Sequence, residues 1–225
     1  MSLCVFFGLL VGIIFADTNS MKKTYSKASL TRRIHSKAGG IRKAYSKTNI
    51  MGRSLCTEEQ MRRYLLEKNP KVGSQYLSNI KYYLSEGKKE GVRGDLAFAQ
   101  SLKETNYFRF GGDVKPSQNN FAGLGAVGNK VPGLSFKTPQ EGIRAQIQHL
   151  KAYASKARLR QTCVDPRFHL VKRGCARYIE DLAGLWACPG YDPQRYKNLE
   201  EAKQHQDGYG HHIQRLCSEM RCQKK

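Results

Sequence analysis

Two stretches of this sequence each write out the start of a helix. In Thr57-Glu58-Glu59-Gln60, the Thr57 hydroxyl stands where a helix cap accepts from the backbone, and Gln60 stands where a side chain reaches back. In Thr138-Pro139-Gln140-Glu141, a Thr cap precedes Pro at the first helical position and an acid at the third. Met61, Tyr64 and Leu65 continue the first helix until Asn69-Pro70 stops it, and Ile143, Ile147 and Leu150 form the stripe of the second. The same period predicts helices through Tyr76, Leu77, Ile80, Tyr83 and Leu84, through Ile179, Leu182, Ala183 and Trp186, and through Tyr209, Ile213, Leu216, Cys217 and Met220. Asp95 is placed to cap one more, with Leu96, Ala99 and Leu102 on its apolar face. Residues 106–137 are rich in Gly and Asn and read as loops or a small β lobe. The expectation is a mainly α domain over residues 51–225, with five or six helices around one irregular lobe.

The 50 residues before it look different. Leu3 to Ala16, LCVFFGLLVGIIFA, is apolar but short of the ~18 residues of a membrane span. Residues 1–20 therefore read as an export signal or an anchor, although no Lys or Arg precedes the apolar run. A buried cytosolic helix is the alternative. From Met21 to Ile50 the chain repeats every ten residues: Tyr25-Ser26-Lys27, His35-Ser36-Lys37 and Tyr45-Ser46-Lys47 align. Few large aliphatics occur there, so residues 21–50 are expected to be a disordered basic linker. The whole chain carries a formal charge of +21, and residues 17–55 hold ten Lys or Arg against one acid, Asp17. Charge alone admits nucleic acid, an acidic membrane or an anionic wall polymer; if the chain is exported, anionic wall polymers or lipid headgroups are the expected partners, with no specific nucleic acid. A solvated linker without a partner is the bland alternative.

The chemistry concentrates in Gly94 to Asn106, GDLAFAQSLKETN. On a helix, Ala97, Gln100 and Glu104 share one face, and Glu104 falls just before an aromatic-glycine loop, Tyr107-Phe108-Arg109-Phe110-Gly111-Gly112. Neighbouring rings desolvate such a carboxyl and raise its pKa, which suits a general acid near neutral pH. No Cys-x-x-Cys pair occurs and no His lies at zinc-finger spacing, so neither metal nor cofactor is expected. Of the seven cysteines, Cys56, Cys163, Cys175, Cys188, Cys217 and Cys222 lie outside the leader. They allow three disulfides in any of fifteen pairings, or free thiols, which a helical core of this size permits.

The stretch GDLAFAQSLKETNYFRFGGDVKPSQNNFAGLGAVGN resembles the core of the bacterial glucosaminidase domains of glycoside hydrolase family 73. The shared elements are Ala99-Gln100, Glu104, Gly111-Gly112 and Asn119-Asn120-Phe121-Ala122-Gly123; TPQEGIRAQIQHLKAYAS, VDPRFHLVKRG and WACPGYDP extend the likeness over residues 50–215. The resemblance implies a lysozyme-like helical body with a small β lobe and a monomeric, exported enzyme, extracellular or bound to the cell wall. It implies cleavage of peptidoglycan glycan strands after N-acetylglucosamine, with Glu104 as the general acid. Gln100, Asn119, Asn120 and Phe121 would then shape the sugar groove, and Tyr107, Phe110, Trp186 and Tyr191 would offer rings for stacking. Two departures stand out. Asn106 replaces a common Gly, and the lobe from Leu124 to Phe136 lacks the second carboxylate of many relatives. Asp113 is the nearest substitute; Glu141 is expected to cap its own helix and Asp165 to make a turn. The substrate's own acetamido group is the other source of a second catalytic group. A muramidase or lytic transglycosylase on the same body, or a non-catalytic polyanion-binding protein built on the repeat, are the competing readings.

The repeat is expected to raise wall affinity without taking part in bond cleavage. Deleting it should weaken binding to walls at low salt, leave activity on small soluble glycan fragments intact, and flatten the salt dependence of binding. Equal loss on both substrates would contradict this.

Overall fold

The computed structural model describes residues 47–112, 114–126 and 133–224. The leader, the repeat as far as Ser46, and Asp113 lie outside them. Residues 47–50 pack with the helical body. Thr48 N–H donates to the Glu180 carboxylate at 3.0 Å, and its carbonyl accepts from Ile179 at 2.9 Å. Ile50 is fully buried, and its backbone is held by Arg177 and Arg93 at 3.1 and 2.9 Å. One large aliphatic at the end of a polar segment is enough to dock it. A deletion of the repeat that spares the fold therefore ends at Ser46.

Among the described residues seven α-helices follow: α1 Glu58–Lys68, α2 Ser74–Ser78, α3 Ile80–Glu90, α4 Gly94–Glu104, α5 Pro139–Ala154, α6 Leu199–Gln204 and α7 Tyr209–Arg221. Both foreseen caps are formed. Thr57 Oγ1 accepts from Gln60 N at 3.2 Å while Gln60 Oε1 accepts from Thr57 N at 3.0 Å. Thr138 Oγ1 accepts from Glu141 N at 3.1 Å, and the Glu141 carboxylate accepts from Lys137 N. The helix α4 is the centre of the body: Leu96, Ala97, Phe98, Ala99 and Leu102 are all fully buried, and α3, α5 and α7 pack around it. A helix buried on nearly every side is an interior one, and its polar side chains, Asp95, Gln100 and Ser101, must find partners inside the core.

Three sequence expectations need correction. The segment around Tyr76 to Leu84 breaks at Asn79 into α2 and α3. Asp95 is not the cap of α4: Arg93 holds that position, and Asp95 sits inside the first turn. Its carboxylate is drawn into the core by the Arg93 guanidinium at 2.7 Å and by Leu55 N at 2.9 Å. The helix expected through Trp186 is a 3-10 turn, Ile179–Leu182, ended by an extended Ala183 and by Gly184 at φ +82°. The anchors Ile179 and Leu182 are nevertheless buried.

Region 106–137 takes its loop form among the described residues, with one 3-10 turn, Pro116–Gln118, and no strand. Backbone bonds from Leu134 to Leu124 at 2.8 Å and from Phe136 to Gln118 at 2.9 Å close it on itself. It sits directly on α5. A Cβ on Gly142 would run into the Asn119 carbonyl oxygen, so only glycine allows that approach.

Buried ion pairs fasten α3 to α5. Lys151 Nζ meets Glu90 at 2.7 Å with both side chains almost wholly buried. Glu86 gathers Lys89, Arg144, Gln140 and Gln161 at 2.7–3.0 Å. Burial pushes the Glu86 carboxyl up, but these four donors outweigh it and hold its pKa down to about 2. Removing one partner of such a pair strands the other charge. Lys151→Met should therefore lower unfolding free energy by ~3–5 kcal/mol. Glu59→Ala, which breaks only the exposed pair with Arg63, should change it by less than ~0.5 kcal/mol. Urea unfolding of both variants measures the contrast; equal losses would contradict the account.

Candidate active site

Glu104 is the last residue of α4, at the point where the chain leaves the core. The next turn is left-handed: Asn106, Tyr107 and Phe108 have φ of 50°, 56° and 58°. Such a turn costs on the order of 1 kcal/mol or more per residue and needs external support. Phe108 supplies it, buried between Tyr76 at 4.8 Å and Phe121 at 5.8 Å, ring centroid to centroid. Backbone bonds Tyr107 N to Leu102 O and Phe110 N to Thr105 O, at 2.7 and 2.8 Å, close the turn. Asn in place of glycine is accommodated, because Asn tolerates the left-handed region better than most residues.

The Glu104 carboxyl is enclosed from two sides. Tyr209, the first residue of α7, donates its hydroxyl to Glu104 Oε1 in a short hydrogen bond. A Cβ on Gly123 would stand 4.0 Å from Oε2, so the lobe faces the second oxygen. Gly123 has φ +68°, a position that a side chain would strain, and its bare backbone leaves the approach to Oε2 open. Burial pushes the Glu104 pKa up; the Tyr209 hydrogen bond and the Lys103 charge oppose the rise without cancelling it. Lys103 Nζ also lies 5.6 Å from the Tyr209 ring centroid. Burial, then Glu104 itself, push the Tyr209 hydroxyl well above its usual range, so it stays a donor.

Gln100 is fully buried. Its amide donates to Tyr209 Oη at 3.0 Å and accepts from Gln146 Nε2 at 2.9 Å. It positions Tyr209, which positions Glu104. Asn120, 1% exposed, donates to the carbonyls of Leu124 and Leu134 at 2.8 and 2.9 Å and accepts from Leu124 N at 3.0 Å. It shapes the groove by tying the lobe together. Phe121 is likewise a core ring under the loop, at 2% exposure. Asn119 takes the left-handed φ of 51° and bonds the Phe136 carbonyl at 3.0 Å. In this structure the motif's amides hold the wall of the lobe, because they spend their donors on backbone carbonyls.

Of the rings, Tyr107 is partly buried against Tyr64, with Arg109 over its face. Phe110 is partly exposed beside Tyr76 and Phe108. Tyr191, also partly exposed, follows Gly190, whose carbonyl accepts from Tyr209 N at 2.8 Å. Trp186 packs edge-on to His149 at 5.0 Å, and His149 is held by Asp165 at 2.7 Å. Asp165 makes the foreseen turn too, accepting from Arg167 N at 2.9 Å. Asp113 lies outside the described residues. The sequence reading missed Tyr209: it was counted only as an apolar helix position, and it lies 105 residues from the carboxyl it serves.

The profile of the glucosaminidase family, described as mannosyl-glycoprotein endo-β-N-acetylglucosaminidase, matches residues 80–220. The chain belongs to this glucosaminidase family. The match spans Glu104, the lobe and Tyr209 alike. At family level the domain is a peptidoglycan-type glycosidase. A Borreliella burgdorferi protein described as uncharacterized is 46% identical over 139 residues, which cover 61% of this chain and 68% of that protein. No solved structure matches the chain.

Tyr209→Phe removes a bond that stabilises the ionised carboxyl. The Glu104 pKa should then rise further, and the alkaline limb of the pH–activity profile should move to higher pH. Rates across the pH range on a soluble glycan measure this. An acidward shift of that limb would contradict the arrangement.

Proposed function

We propose that the protein hydrolyses the β-1,4 bond after N-acetylglucosamine in peptidoglycan glycan strands, with Glu104 as general acid. The observation that carries this reading is a carboxyl held at the end of α4, faced by the bare Gly123 backbone, whose pKa burial pushes up despite the Tyr209 bond. A carboxyl with a raised pKa keeps its proton to higher pH, which is what a departing sugar oxygen needs.

The second catalytic group is assigned to the substrate. Across 106–137 the sequence contains one acid, Asp113, and the groups that act on the Glu104 carboxyl are Tyr209 and Lys103. In this reading the acetamido oxygen at C2 attacks C1, the C1–O bond breaks, and the leaving oxygen takes the Glu104 proton. Water then opens the cyclic intermediate while the Glu104 carboxylate accepts its proton, so configuration is retained. The protein acts on the wall outside the cytoplasm, and the basic repeat holds it there by charge.

Glu104→Gln should abolish hydrolysis by at least ~10²- to 10⁴-fold, because Gln keeps the shape but has no proton to give. It should not lower stability. A carboxyl whose folded pKa is raised contributes stability that is fully present below its unfolded pKa and lost as pH rises through the folded one. Gln does not titrate, so the variant should match wild type in mild acid and melt at or above it at neutral pH. Asp113→Asn should cost far less than Glu104→Gln; a loss as severe would make Asp113 the second catalytic group instead. Mass spectrometry of reduced muropeptides reads the bond directly. New N-acetylglucosamine reducing ends support the proposal, whereas N-acetylmuramic acid or anhydro ends would replace it with a muramidase or a transglycosylase.

A further inference from the structure

We propose that Cys56 and Cys217 are a disulfide site that staples the start of α1 to α7. Cys56 directly precedes the Thr57 cap, and Cys217 lies on the inner face of α7; each is 5% exposed. Their sulfurs and an Asp95 carboxylate oxygen lie within 4.8 Å of one another. Cys56 Sγ points at the Cys217 carbonyl, 3.5 Å away. The other four described thiols, Cys163, Cys175, Cys188 and Cys222, are exposed. Of the fifteen pairings open to the sequence, the fold brings this one together.

The surroundings already hold the two residues in place. Asp95 Oδ2 accepts from Leu55 N at 2.9 Å, which fixes the backbone just before Cys56. Cys217 Sγ lies 3.3 Å from that same oxygen and 3.3 Å from Arg93 Nη2. Oxidation removes only the weak S–H donor from Asp95, which retains Arg93, Leu55 and the Leu96 N–H at 3.1 Å. No buried polar group is orphaned. The same arrangement disfavours a metal, because the Arg93 guanidinium occupies the cation's place against the carboxylate.

The step is thiol–disulfide exchange with a disulfide-bearing oxidant such as oxidised glutathione. One cysteine thiolate attacks a glutathione sulfur, forming a mixed disulfide and expelling one glutathione thiolate. The second cysteine thiolate attacks the protein sulfur of that mixed disulfide and expels the other. Two protein thiols lose two electrons and two protons, and one oxidised glutathione becomes two reduced ones. In the folded core the hydrogen bond with Cys56, and then burial, raise the Cys217 thiol pKa, so the exchange belongs to folding, before the core closes. The bridge would span 161 residues of sequence and brace the helix whose first residue, Tyr209, donates to Glu104.

The test is independent of the bond that the enzyme cuts. Full-length chain is refolded from guanidinium in a glutathione redox buffer, alkylated without reduction, digested and mapped by mass spectrometry. A Cys56–Cys217 linked peptide is expected as the dominant bridge. The bridged protein should melt roughly 5–15 °C above its own reduced form, the shift that a long-loop disulfide gives a domain of this size. Cys56→Ala/Cys217→Ala should show no such dependence on reductant. Alkylation of both cysteines after refolding, a different dominant pairing, or one zinc per chain by native mass spectrometry would each overturn the proposal. The wild-type peptide map decides the matter even if the double variant folds poorly.

Discussion

A single chain of hydrogen bonds through the core decides where the Glu104 carboxyl sits. Tyr83 on α3 donates to Ser101 on α4 at 2.9 Å, and Ser101 Oγ meets Gln146 Oε1 on α5 at 3.0 Å. Gln146 then donates to Gln100 on α4, Gln100 to Tyr209 on α7, and Tyr209 to Glu104. Four helices contribute to it, and Tyr83, Ser101, Gln100 and Gln146 are all essentially sealed from solvent. In such a medium a missing partner costs far more than a formed bond contributes, so the chain tolerates little slippage of any helix. The ion pairs between α3 and α5 and the glycine contact between α5 and the lobe keep those helices in register.

The network also sets the chemistry. Desolvation alone would raise the Glu104 pKa but leave its carboxyl poorly oriented. The Tyr209 hydroxyl fixes Oε1 and moderates the rise in pKa, which leaves Oε2 to face the lobe across Gly123. The lobe is built by buried amides, chiefly Asn120 and Gln118, that bind its own backbone. Its contribution is therefore shape and water exclusion, and ionic help close to the carboxyl comes from Lys103.

Helix starts were legible because they rest on local chemistry: the caps at Thr57 and Thr138 form as their spacing dictates. The place of Glu104 at the end of a helix and ahead of an aromatic loop was legible in the same way. What the sequence hid was long-range. A polar side chain in a motif does not reveal that Gln100 and Asn120 have other buried groups as partners. Tyr209 looked like a core position, since nothing local ties α7 to α4. The short α6 was passed over although Asn198 caps it by accepting from Glu201 N at 2.9 Å, a signal of the same kind as the two that were read. The stripe around Ile179 was read as a helix because its anchors do face the core, but Gly184 turns the chain before a second turn can form.

Glu104 can serve as a general acid only if its carboxyl keeps its proton above the ordinary glutamate range. A carbon-13 NMR titration of glutamate side-chain carboxyls, with the Glu104 resonance assigned by its loss in the Gln variant, measures that directly. The account predicts a midpoint displaced above the ordinary glutamate value, with the resonance still partly protonated where exposed glutamates are fully ionised. A midpoint at or below that ordinary value would contradict it and remove Glu104 from the role of general acid.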